Sequence, residues 1–138
     1  MFRRQRIQSF RTVAAITGAL IPQVVGLREI PVDDITGSVG RAATLGSDFL
    51  PKGWRTRGPA RQRYERVESA LRRGSALPPI EVYRIGTEYF VLDGHHRVAA
   101  ARQLGQLYVD ALVTDYLPAD GDLEWAMAER HALSLIHI

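Results

Sequence analysis

A chain of 138 residues, 46% apolar and 24% charged, can build one domain with a real core and little more. It contains no cysteine, which excludes thiol and disulfide chemistry and fits a reducing, cytoplasmic compartment. The formal charge of +3 is unevenly placed: residues 1–74 carry 14 Lys/Arg against 6 Asp/Glu, and residues 75–138 carry 4 against 9.

Residues 1–26 read as a basic helical arm. Arg3, Arg4, Arg6 and Arg11 precede an apolar run that ends at Ile21, an order that invites comparison with a signal peptide. Pro22 and Gln23 interrupt that run, no small-residue cleavage site follows, and the run is too short to cross a bilayer, so no membrane partner is expected. A peripheral helix over roughly residues 5–20, ending before Pro22, accounts for the pattern. Its arginines either touch a partner or are simply solvated.

Residues 27–35 (LREIPVDDI) predict a first strand and its exit. Residues 36–41 (TGSVGR) are then too rich in glycine for regular structure and read as a loop that offers hydroxyls, amides and Arg41. From Ala42 to Pro59 no period is sustained, which predicts a long irregular excursion. Its Trp54, flanked by Lys52, Arg55 and Arg57, either stacks on a base or anchors the loop to the core; the anchor is the preferred reading. Residues 60–73 place Tyr64, Val67, Ala70 and Leu71 on one stripe, with Gly74 as terminator, and predict an amphipathic helix whose arginines face solvent.

The clearest signal follows. Residues 80–85 (IEVYRI) predict a strand, Gly86-Thr87 a tight turn, and residues 88–92 (EYFVL) the returning strand of a hairpin. A helix begins at once, with Val98, Ala99, Ala100, Ala101 and Leu104 as good helix formers and Gly105 as terminator. Residues 107–114 (LYVDALVT) predict a further strand, so the helix joins two strands of one sheet.

Asp93, Gly94, His95, His96 and Arg97 therefore sit at a strand-to-helix junction. The first helical turn has backbone N–H groups without intrahelical partners and the positive end of the macrodipole, both of which favour an anion. Gly94 allows close approach, and His95, His96 and Arg97 add side-chain donors, the arginine with a fork that fits two phosphate oxygens. The pattern predicts a phosphate-binding corner. The plainer reading makes Asp93 an N-cap, Gly94 a turn residue and the histidines a solvated first turn. A metal site on His95 and His96 is disfavoured, because adjacent helical residues point about 100° apart and no third ligand stands at a recognisable spacing.

The stretch PPIEVYRIGTEYFVLDGHHRVAAARQLGQLYVDALV resembles the core of the ParB N-terminal domain and sulfiredoxin superfamily, in which a hairpin leads into Gly-x-x-Arg at a helix N-terminus. The resemblance covers about 35 residues well and reaches more weakly back to Leu27. It implies an α+β fold: a single ParB/sulfiredoxin-like domain over residues 27–118, with a small mixed sheet flanked by helices. It also implies that Gly94, His96 and Arg97 contact the phosphates of a nucleotide triphosphate or ADP carried with Mg2+, and that Arg41, from the loop after the first strand, is the counterpart of an arginine that ParB proteins have there; His95 joins them as a donor of the first helical turn. Sulfiredoxin has a reactive cysteine where this chain has His95, so its thiolate chemistry is excluded. ParB proteins have Glu-Arg-Arg where this chain has His95-His96-Arg97.

Two functions follow from the resemblance. The first is a bacterial-type nucleotide-binding module with CTP or ATP as partner, regulatory or partition-type, and associated with DNA through the basic first half; a homodimer is compatible with it. The second is a small-molecule kinase resembling the free serine kinases, with Asp93 as the catalytic carboxylate and ATP or ADP as donor. The first-strand loop of those kinases carries an acidic residue that residues 36–41 lack. A nuclease ranks last, for want of a carboxylate cluster.

Past the core, residues 119–132 predict a packing helix capped by Asp120 or Asp122 and carrying Leu123, Trp125 and Met127. Residues 133–138 (LSLIHI) match the translation of a sequencing adapter, and on that reading the natural chain continues with a different tail.

Overall fold

Two strands rich in β-branched and aromatic residues, β4 (Ile80–Ile85) and β5 (Glu88–Asp93), pair antiparallel at the centre of the sheet, with Ile85 opposite Glu88 across the turn. The computed structural model describes residues 6–56 and 58–119. Chain order is β1 (Gln8–Ser9), α1 (Phe10–Thr17), β2 (Leu20–Pro31), β3 (Ile35–Ser38), α2 (Gly58–Arg72), β4, β5, α3 (His95–Gln103) and β6 (Tyr108–Pro118). The six strands lie side by side as β1-β3-β5-β4-β6-β2. The sheet is mixed: β3 runs parallel to β1 and β5, β6 runs parallel to β4, and β2 closes the far edge antiparallel to β6. The expected α+β architecture, with a hairpin leading into a helix, is the one observed.

Alternation along the strands decides what each face carries. On β6, Val109, Ala111, Val113 and Leu117 are buried while Tyr108, Asp110 and Leu112 are exposed. Val82, Val91, Val113 and Ala111 form one core with Val98 to Ala101 of α3 and Tyr64 of α2. The run of small side chains on α3 lets that helix lie close to α2. On the opposite face Phe10 of α1 makes edge contacts with Tyr83, Phe90 and Tyr116, at centroid distances of 5.2, 5.6 and 4.9 Å.

Two expectations about the first 41 residues are corrected. The N-terminal helix is only Phe10–Thr17, and residues 20–26 belong to β2, which runs unbroken across the expected boundary at residue 27. An apolar run of that length fits helix or strand equally well; pairing with β6 decides for strand. Pro22 is tolerated because β2 is an edge strand, and Gly26, at φ 101°, takes up the register shift that follows Val24. The glycine-rich segment is not all loop either: Ile35–Ser38 is β3, held between β1 and β5. Gly37 is there for space, since a Cβ would run into the ring of Phe90 and lie 2.6 Å from the carbonyl oxygen of Gln8.

The irregular excursion is tied down at both ends. Trp54 packs on Tyr64 at 5.0 Å between centroids and donates its indole N–H to Asp48, which is the anchoring role preferred from sequence. Arg102 of α3 donates to the carbonyls of Ile35 (2.6 Å) and Ser47 (3.2 Å), with its guanidinium 4.4 Å above the ring of Phe49. The expected C-terminal helix over 119–132, apart from Ala119, and the adapter-like residues 133–138 lie outside the described residues. Among the described residues no helix is long and apolar enough to cross a membrane.

Candidate functional site

β5 ends at Asp93, and the chain turns into α3 through Gly94 at φ 106°, ψ 27°. Gly94 itself is the N-cap, so no side chain closes the end of the helix. Asp93 is thereby corrected as a cap: it is exposed on the last position of the strand. The first intrahelical bond runs from the Val98 N–H to the Gly94 carbonyl at 3.1 Å, so the amides of His95, His96 and Arg97 point out of the helix. A Cβ on Gly94 would lie 2.6 Å from Cγ2 of Ile80, which brings this turn hard against the first residue of β4.

A cleft of about 250 Å³ opens over those amides. Its polar side is made by Arg41, Asp93, Gly94, His95, His96 and Arg97, and its apolar side by Val67 of α2 and Leu77 to Ile80. Five of the six residues singled out from sequence are consecutive. The sixth, Arg41, arrives from the end of β3, and the parallel pairing of β3 with β5 is what carries it to the same opening.

The three cationic or imidazole side chains of the motif do different things. Arg97 is half-buried and donates Nη1 to the carbonyl of Pro78 at 3.0 Å, which holds the apolar wall to α3. Its Nε is buried without a protein partner, and burial pulls the guanidinium below its usual pKa. His96 likewise has a buried Nε2 without a partner. Burial lowers its pKa first, followed by the positive charges of Arg63 and Arg41, so the ring is neutral at pH 7.

His95 turns inward. Its ring is buried and its Nε2 lies 2.8 Å from the Oγ of Ser38, also buried, 57 residues away in the chain. Burial, then the charges of Arg41 and His96, push its pKa down to about 4 against an opposing pull from Asp93. The imidazole expected to donate to a ligand thus has its Nε2 engaged by Ser38, while His95 still lines the cleft with the rest of the motif. Sequence reasoning missed two residues. Ser38 was visible only as one hydroxyl among the loop donors, and Arg63 as one of several helix arginines assigned to solvent.

An anion entering this cleft would meet three outward amides, two guanidinium groups and a half-buried imidazole, with one carboxylate at the rim. Among the described residues no three His, Asp or Glu side chains converge as metal ligands.

No protein-family model matches the chain, and no curated protein matches it. Among solved structures it is similar to the crystal structure of sulfiredoxin from Arabidopsis thaliana, with 18% identity, a TM-score of 0.44, and 73% of this chain and 96% of that one covered.

Proposed function

We propose that the cleft at Gly94 binds the phosphates of a nucleotide of the CTP or ATP type, and that the domain is a nucleotide-controlled regulatory or partition-type module. One observation carries the reading: the uncapped first turn of α3 opens into a cleft whose polar side also holds Arg41, His96 and Arg97. Two guanidinium groups beside outward N–H groups, against one carboxylate at the rim, suit a polyanion. The apolar side, Val67 and Leu77 to Ile80, suits the less polar remainder of the ligand. Mg2+ would arrive on the phosphates, with waters and phosphate oxygens as its main ligands. Calorimetric titration with CTP, ATP and ADP in the presence of Mg2+ tests the reading; absence of heat with all three overturns it. DNA association through the basic first half is a separable part of the proposal, tested by the salt dependence of duplex binding.

Asp93 favours a second reading. A carboxylate on the same cleft as the cations is placed to accept a proton from an acceptor hydroxyl, as phosphoryl transfer to a small molecule requires. Phosphoserine formed from serine and ATP or ADP would support it, and its loss in Asp93→Asn would assign the base.

A further inference from the structure

We propose that Ser38 is a positioning residue for the cleft: held by His95, its hydroxyl fixes the main chain of Arg41 so that the guanidinium stands over the first turn of α3. The proposal rests on the reading of the cleft as a phosphate site.

Hydrogen-bond accounting gives the direction of each bond. The Arg41 N–H donates to Ser38 Oγ at 3.0 Å, and Ser38 Oγ lies 2.8 Å from His95 Nε2. The hydroxyl has one proton, and His95 Nε2 is the remaining partner for it, so Ser38 donates and Nε2 accepts. His95 then carries its proton on Nδ1, consistent with a ring that stays neutral throughout the physiological range.

Arg41 is pinned on both sides as a result. Its N–H is held by Ser38, and its carbonyl accepts from the N–H groups of Thr44 (3.0 Å) and Leu45 (3.1 Å). Between Ser38 and Arg41 the chain is held once more, by the Val39 N–H on the carbonyl of Val91. The side chain of Arg41 is itself exposed, so its location over the cleft depends on the main chain beneath it. The Ser38–His95 bond links that main chain to the first turn of α3, while Arg102 ties the far end of the helix to Ile35 and Ser47.

A serine beside a neutral histidine also has the composition of a nucleophile and its base. Burial rules that use out here. Ser38 is fully buried and His95 nearly so, and the hydroxyl is already engaged as both donor and acceptor, so no substrate carbon can reach it.

The test has two arms on the full chain. Without ligand, nitrogen-15 NMR of His95 is expected to show Nδ1 protonated and Nε2 bare, and Ser38→Ala to speed exchange of the Arg41 amide by about tenfold or more. Protonation on Nε2, or an unchanged Arg41 amide, overturns the proposal. With pyrophosphate and ATP as probes, Ser38→Ala is expected to weaken binding roughly fivefold in the wild-type background and to add nothing in an Arg41→Ala background. Equal losses in both backgrounds mean that Ser38 does not act through Arg41, and overturn the proposal. If the wild-type protein binds neither probe, the reading of the cleft fails, while the tautomer and the amide exchange still judge the lock. The tautomer measurement needs no variant, so a Ser38→Ala chain that does not fold leaves the lock testable.

Discussion

Cγ2 of Ile80 stands 2.6 Å from the point where a side chain at Gly94 would begin. The start of β4 thus presses on the turn that ends β5, and the absence of a Cβ at Gly94 is a condition for both. Gly94→Ala is expected to be destabilising on two counts, the left-handed backbone at φ 106° and the overlap with Ile80. Together these amount to about 2–4 kcal/mol in denaturant unfolding. Nucleotide titration of any folded fraction should show weakened binding, since relief of the overlap moves the amides.

Acid should destabilise the protein through His95. Its pKa is about 4 in the folded chain against an ordinary 6.5, so between those values the unfolded chain holds more protons. The stability tied to the neutral ring is present above pH 6.5 and is lost as pH falls through about 4. The loss is on the order of 3 kcal/mol by the size of the shift. Urea unfolding of wild type and His95→Gln between pH 4 and 8 checks it. The variant lacks this titration and should show a shallower slope; parallel slopes would mean the ring is not buried as described.

His96 should make ligand affinity depend on pH in the opposite sense. Burial and the charges of Arg63 and Arg41 keep it neutral at pH 7, and a phosphate beside Nε2 would favour its protonated form. Binding of a nucleotide is then expected to take up protons at this ring. Affinity should fall more steeply with rising pH in wild type than in His96→Ala. The comparison cancels the titration of the phosphate itself, and proton uptake measured by calorimetry in buffers of different ionisation heat reads it directly.

Arg97 and Arg102 separate binding from folding. Arg97→Lys keeps a charge at the cleft but loses the fork, so it should weaken phosphate binding about tenfold, while loss of the bond to the Pro78 carbonyl costs only about 1 kcal/mol in unfolding. Arg102→Ala removes the bonds to Ile35 and Ser47 and the cover over Phe49, and leaves two carbonyls to find other donors. It should cost about 2–4 kcal/mol of stability and loosen the excursion, seen as faster proteolysis there.

The hairpin, the helix after it and the location of the motif were legible because each is a local signal. The alternation of residues 80–92, the glycine at 86 and the alanine-rich run at 98–101 act over a few residues and agree with one another. Residues 20–26 and 36–38 were misread for the converse reason. Proline and glycine in those stretches resemble breaks until an edge position and a ring from a neighbouring strand supply the cause.

The roles of the two histidines were not local at all. His95 and His96 are adjacent and chemically identical, and sequence assigned them one job. Their rings leave the helix about 100° apart, so Nε2 of one meets Ser38 while Nε2 of the other has no protein partner.

A glycine opening a helix at the end of a hairpin, with donors following it, could be read from residues 85–97 alone, because chain geometry and helix termini set that much over a short stretch. Which side chains line the cleft, and with which atoms engaged elsewhere, was settled by packing across the sheet. Burial divided His95 from His96, and the parallel pairing of β3 with β5 brought Arg41 from more than fifty residues away to the same opening. Such choices depend on what lies across the sheet, and no window of sequence contains it.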